Sequence, residues 1–125
     1  LWPGDRFYGQ IGCWQSHIQL WLKIVQDVEE KGVPDGPVVI FEDDLDWPAD
    51  FGREGLMKHL NEMPEDWEFI GYGLLGTVCM QSNKVIPKGF CRISRGVRAH
   101  AYVLRNAGVA TKLLKLLNTK MPVVI

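Results

Sequence analysis

The stretch Val38-Val39-Ile40-Phe41-Glu42-Asp43-Asp44-Leu45-Asp46 decides how this chain of 125 residues is read. Its first four residues are β-formers with no polar alternation. Such a run suits a strand buried on both faces, as in a parallel sheet. It stops abruptly at four carboxylates within five positions, Glu42, Asp43, Asp44 and Asp46. Like charges so close repel one another, and a divalent cation offsets the repulsion. Hard cations such as Mg²⁺ and Mn²⁺ prefer carboxylate oxygens and often keep water or phosphate as further ligands. In open α/β sheets, ligands bind at the carboxyl ends of the strands. Alternation along an extended chain points Glu42 and Asp44 one way and Asp43 the other. The other reading of the same residues is an acidic strand-to-loop turn capping the next element.

Upstream, Gly9 to Lys31 reads as a helix. Ile11, Trp14, Ile18, Trp21, Val25 and Val28 recur at steps of three and four, one apolar stripe. Gly32 and Pro34 end it. Downstream, Phe51 to Met63 reads as a second helix, with Phe51, Leu56 or Met57, and Leu60 facing inward, and Pro64 ends it. Trp67 to Gly73 is a second strand. Residues 74–98 are mixed and carry the basic residues Lys84, Lys88, Arg92, Arg95 and Arg98. His100 to Leu104 is a third strand. Asn106 caps a last helix bearing Val109, Leu113, Leu114, Leu116 and Leu117. Helices alternating with strands predict an α/β fold with a largely parallel sheet. Trp14, Trp21 and Trp67 are assigned to the core.

The overall composition excludes several classes. Hydrophobic residues make up 46% and charged residues 23%, as in an ordinary globular domain. A net charge of −1 speaks against a nucleic-acid partner. No apolar run approaches the roughly 20 residues of a membrane span. Three cysteines do not make a full disulfide framework. Cys79 and Cys91 either pair across a hairpin-like stretch or, with Cys13, serve as small buried hydrophobes.

Four blocks of this sequence resemble glycosyltransferase family 25. Gly9-Gln10-Ile11-Gly12-Cys13-Trp14-Gln15-Ser16-His17, followed by Leu20-Trp21, resembles the family's first helix. Val39 to Leu45 resembles its "hydrophobic run–E-D-D" motif, the counterpart of the DxD metal motif. Pro64 to Ile70 resembles its "P-x-D-W-D-hydrophobic" strand, with Glu68 where Asp is frequent. Gly96 to Tyr102 and Gly108 to Leu114 resemble its closing segment, with Val109 where Ala is usual. The resemblance implies a GT-A-like nucleotide-sugar transferase sheet with flanking helices, a UDP-hexose donor and Mn²⁺ or Mg²⁺. It also implies an inverting hexosyl transfer to a saccharide, glycan or glycoprotein acceptor, as in lipopolysaccharide or collagen hydroxylysine galactosyl transfer. A bacterial-type member would work at the cytoplasmic face of a membrane, a collagen-type member in the endoplasmic reticulum or Golgi lumen. On this basis residues 1–125 are expected to be the central part of one such domain, lying after its first strand and before its C-terminal part.

The roles expected of individual residues follow. Asp44 is a direct metal ligand. Glu42 binds the metal through water or holds the ribose. Asp43 braces the loop or binds the donor sugar. Ser16 lies opposite the apolar stripe of its helix and His17 on its flank. His17 either faces the donor diphosphate or the acidic loop, or packs beneath the sheet. Arg92, Arg95 and Arg98 form either a diphosphate or acceptor clamp or a solvated basic loop. His100 and Tyr102 share a sheet face, and Trp47 is placed to stack on a sugar. Inversion needs a base for the acceptor hydroxyl proton; Asp46 and Asp66 are the candidates. Two other functions fit the acids. One is a degenerate, non-catalytic carbohydrate-binding module. The other is a glycoside hydrolase, which also uses paired carboxylates but needs no metal or nucleotide.

Overall fold

A computed structural model describes residues 3–43, 46, 51–73, 75–97 and 100–120. The elements run α1 (Pro3–Glu29), β1 (Val38–Phe41), α2 (Gly52–Glu62), β2 (Phe69–Tyr72), β3 (Leu75–Met80), β4 (Arg92–Val97), β5 (Ala101–Leu104) and α3 (Ala107–Lys120). They fall into two compact units, Val38–Leu104 and Leu1–Pro37 with Arg105–Ile125.

The first unit is built around β5. Its four residues are all buried, and Ala101, Val103 and Leu104 are fully so. β5 lies between β1 and β2 in a sheet of order β1-β5-β2. Both pairings are antiparallel, with Phe41 opposite Ala101 on one side and Tyr72 opposite Ala101 on the other. The expected parallel sheet is therefore corrected. β1 and β2 do run in the same direction, but β5 is threaded between them in the opposite sense. The non-alternating run of β1 predicts burial on both faces, yet only Ile40 of it is buried and Phe41 is exposed. The doubly covered strand is β5, because it is the central one. Phe69 stacks on Tyr102, ring centroids 5.3 Å apart, and caps that face of the sheet.

Within the stretch that the sequence pattern leaves unassigned, β3 and β4 pair antiparallel with register shifts between Leu75 and Cys79. Cys79 and Cys91 form a disulfide that closes the loop between these strands. The alternative of three buried thiols is overturned, since Cys79 and Cys91 are bridged and Cys13 is exposed. α2 follows its expected bounds closely. Its inner positions are Phe51, Leu56 and Leu60, whereas Met57 is exposed.

In the second unit α1 packs on α3. Pro3 opens α1, where its missing N–H costs nothing. Gly32, with φ of +67°, closes it while the Val33 N–H donates to the Asp27 carbonyl, 2.9 Å away. Ile18, Trp21, Val25 and Val28 are half-buried, but Trp14 is 42% exposed, which corrects its assignment to the core. Leu116 of α3 is likewise exposed, while Ala107, Val109 and Ala110 carry the burial. Asn106 caps α3 as expected, its Oδ1 accepting the Val109 N–H at 3.1 Å. The carboxylate of Asp35 adds a second cap, accepting the Ala107 N–H at 2.9 Å. No helix among the described residues is long and apolar enough to cross a membrane.

Candidate functional site

The acidic run begins where the β1–β5 ladder ends. One further backbone bond, from the Glu42 N–H to the His100 carbonyl at 3.0 Å, fixes the first acid against β5. The His100 N–H in turn donates to the Tyr72 carbonyl at 3.0 Å. His100 thus ties the ends of both outer strands together. Gly73 makes room for it: its φ is +66°, and a Cβ there would lie 2.5 Å from His100 Cδ2. Glu42, Asp43 and Asp46 are exposed to solvent. Asp44 and Trp47 lie outside the described residues. Exposed carboxylates at a fixed strand end are hard oxygen donors, and that chemistry fits Mg²⁺ or Mn²⁺.

The other expected residues are placed as follows. Ser16 of α1 is exposed, and its hydroxyl donates to the Gly12 carbonyl at 3.0 Å, one helical turn back. His17 is half-buried beside Trp21, ring centroids 6.3 Å apart. Tyr102 is buried under Phe69, whereas His100 is exposed, so the two divide between core and surface. Arg92 is exposed, Arg95 pairs through its backbone with Val78, and Arg98 lies outside the described residues.

Asp66 and Arg92 line a groove of about 610 Å³. One wall is the chain from Met63 into β2, and the other is the disulfide-closed loop and the start of β4. Trp67, Glu68, Lys84 and Phe90 also line it.

Sequence reasoning missed the cluster behind this wall. His59 Nδ1 and the Tyr72 hydroxyl share a hydrogen bond at 3.1 Å. Phe90 meets His59 edge-on at 4.8 Å, and Phe51 lies 5.3 Å from the same ring. Burial pushes the Tyr72 phenol above its ordinary value of 10.0, so it stays protonated. The cluster anchors the loop by Phe90 to α2 and β2. Phe51 and His59 lie eight residues apart, near one face of α2, which is the part of the cluster visible in sequence; the fold alone adds Tyr72 and Phe90.

The family model of glycosyltransferase family 25 (LPS biosynthesis protein) matches residues 8–124. The chain belongs to glycosyltransferase family 25. Every candidate site residue named above lies within the matched range of this glycosyltransferase family 25 chain. Mouse procollagen galactosyltransferase 2 is 28% identical over 81 residues, which are 63% of this chain and 12% of that protein. The human procollagen galactosyltransferase 2 is 27% identical over 81 residues, again 63% and 12% of the two chains. The matched stretch thus spans about an eighth of these relatives' length. No solved structure matches.

Proposed function

We propose that this chain carries the donor centre of a metal-dependent hexosyltransferase. The reaction moves a hexose, galactose in our reading, from a UDP-hexose to a hydroxyl of a saccharide, glycan or hydroxylysine acceptor. The observation that carries this is the acidic run Glu42 to Asp46, which follows the last pairing of β1 inside a sequence of this family. The names of the relatives support galactose as the hexose. The mixed helices and small sheets suit part of a GT-A type fold.

In the transfer, the acceptor oxygen attacks the anomeric carbon, the bond from that carbon to the diphosphate breaks, and UDP departs with the electron pair. Bound Mn²⁺ or Mg²⁺ supplies positive charge where the leaving group gains negative charge. Asp44 would hold the cation directly, and Glu42 would either bind it through water or hold the ribose. Asp43 braces the loop or binds the donor sugar. The backbone bond from Glu42 to His100 holds the first acid in place before substrate arrives, which lowers the ordering cost of binding. On the donor side, Ser16 and His17 are proposed contacts to the nucleotide sugar. A carboxylate, Asp46 or Asp66, takes the proton of the acceptor hydroxyl.

The test uses the full-length protein. Asp44→Ala should abolish hexose transfer from UDP-galactose while the circular dichroism spectrum and melting temperature stay near those of the wild type. Normal turnover by that variant would overturn the proposal. Glycosidic bond cleavage that survives EDTA and needs no nucleotide would identify a hydrolase instead.

A further inference from the structure

Cys79 and Cys91 are both exposed, and the bridge between them closes the β3–β4 loop across a separation of 12 residues. A bridge that solvent reaches is open to thiol exchange, unlike one buried in a core. Among the described residues, the hydrogen bonds of the loop itself are local. The Lys84 N–H donates to Ser82 Oγ at 3.1 Å. The Phe90 N–H donates to the Pro87 carbonyl at 3.1 Å, across a turn in which Gly89 takes a φ of +89°. Two anchors tie the loop to the rest of its unit. One is the disulfide, and the other is the adjoining Phe90 ring, 4.8 Å from His59 and 5.9 Å from Tyr72. Register shifts interrupt β3 on both sides of Val78, so the ladder beside the bridge does little to replace it.

The Phe90 anchor lies at the end of the sheet where the acidic run begins. Tyr72 and Phe41 both stand opposite Ala101. The Tyr72 carbonyl accepts the His100 N–H at 3.0 Å, and the His100 carbonyl accepts the Glu42 N–H at 3.0 Å. Contacts thus run from the bridge to Glu42 by way of Phe90, Tyr72 and His100.

We propose that the Cys79–Cys91 bridge is a redox latch on this loop, closed as the disulfide and opened by a dithiol. In the exchange, a thiolate of the dithiol attacks one sulfur of the bridge and the S–S bond breaks. The other cysteine leaves with the electron pair and takes up a proton. The second thiol of the reductant then displaces the first cysteine from the mixed disulfide. Two electrons and two protons pass to the protein, and the reductant leaves as a disulfide. Opening frees the loop, so Tyr72 loses its ring contact with Phe90, and the groove loses the wall made by Ser82, Lys84, Phe90 and Cys91. The latch stands by itself; its consequence for hexose transfer rests on the transferase reading above, because Glu42 is held at the loosened end.

The test takes the full-length protein through graded ratios of reduced to oxidised dithiothreitol. Alkylation mapped by mass spectrometry reads the two thiols, hydrogen–deuterium exchange reads the loop, and the melting temperature reads whether the protein stays folded. The expected result is labelling of Cys79 and Cys91 in folded protein, with exchange roughly tenfold faster in residues 81–93 and a smaller rise in 69–73 and 100–104. Transfer from UDP-galactose falls several-fold in step. Cys79→Ser combined with Cys91→Ser should exchange at the fast rate without dithiol and no longer respond to it. Phe90→Ala, which leaves both cysteines in place, is the second variant should that pair not fold, and it should speed exchange in 69–73 with the bridge intact. A bridge that opens only as the protein unfolds, or a reduced and folded protein with unchanged exchange, overturns the latch. Opening with undiminished transfer overturns its link to Glu42. Opening as described in a protein that transfers no hexose in either state leaves the latch standing and contradicts the transferase reading instead.

Discussion

Gly73 is the residue on which the end of the sheet depends most sharply. Its φ of +66° already disfavours a side chain, and His100 leaves no room for one. Gly32 has a similar φ of +67° but open space around it. Gly73→Ala should therefore cost about 1–3 kcal/mol in urea unfolding, whereas Gly32→Ala should cost about 1 kcal/mol. Equal losses would show that the His100 contact has no weight. Asp27 gives a test by pH. The Lys23 ammonium at 2.9 Å, helped by Lys31, holds its carboxyl below the usual 3.8. A depressed folded value stabilises the protein above the unfolded value. That contribution disappears as pH falls through the lower folded value. Asp27→Asn should thus flatten the dependence of melting temperature on pH below about 4, by a small amount, because the pair is solvent-screened. The acids of the candidate site were legible residue by residue, since four carboxylates after an apolar run form a local pattern. The pair His59 and Tyr72 was not, because 13 residues separate its members and only the fold joins them.

Among the elements, helices were the most legible. The 3.6-residue stripe located α1 and α2, and Asn106 announced α3 from the cap chemistry of a single side chain. The second cap was hidden, because Asp35 lies 72 residues from the N–H it accepts. Asp35→Ala should lower stability by about 1 kcal/mol, measured by chemical denaturation, and Asn106→Ala by a similar amount. A neutral Asp35→Ala would mean that the bond to Ala107 contributes nothing net. Strand order was less legible. β1 and β5 are both short apolar runs, and periodicity does not say which lies in the middle. The parallel expectation failed for that reason: a chain returning between two like-directed strands leaves no mark on the pattern of either. The β3–β4 pair escaped detection because its register shifts break the alternation that identifies strands.

For the whole molecule, the family assignment rests on a match across residues 8–124, and the function proposed for it rests on a few carboxylates at one strand end. The average composition and the charge of −1 reflect a chain that is mostly scaffold. They conceal a run of acids at the end of β1 and a charge-balanced groove beside β2. Calorimetry of UDP-galactose binding to the full-length protein, with and without Mn²⁺, tests the central claim most directly. The account predicts binding that requires Mn²⁺, is lost with EDTA, and falls by roughly ten- to a hundredfold in Glu42→Gln. Binding of equal strength without the cation, or no heat from a folded protein in its presence, would contradict it.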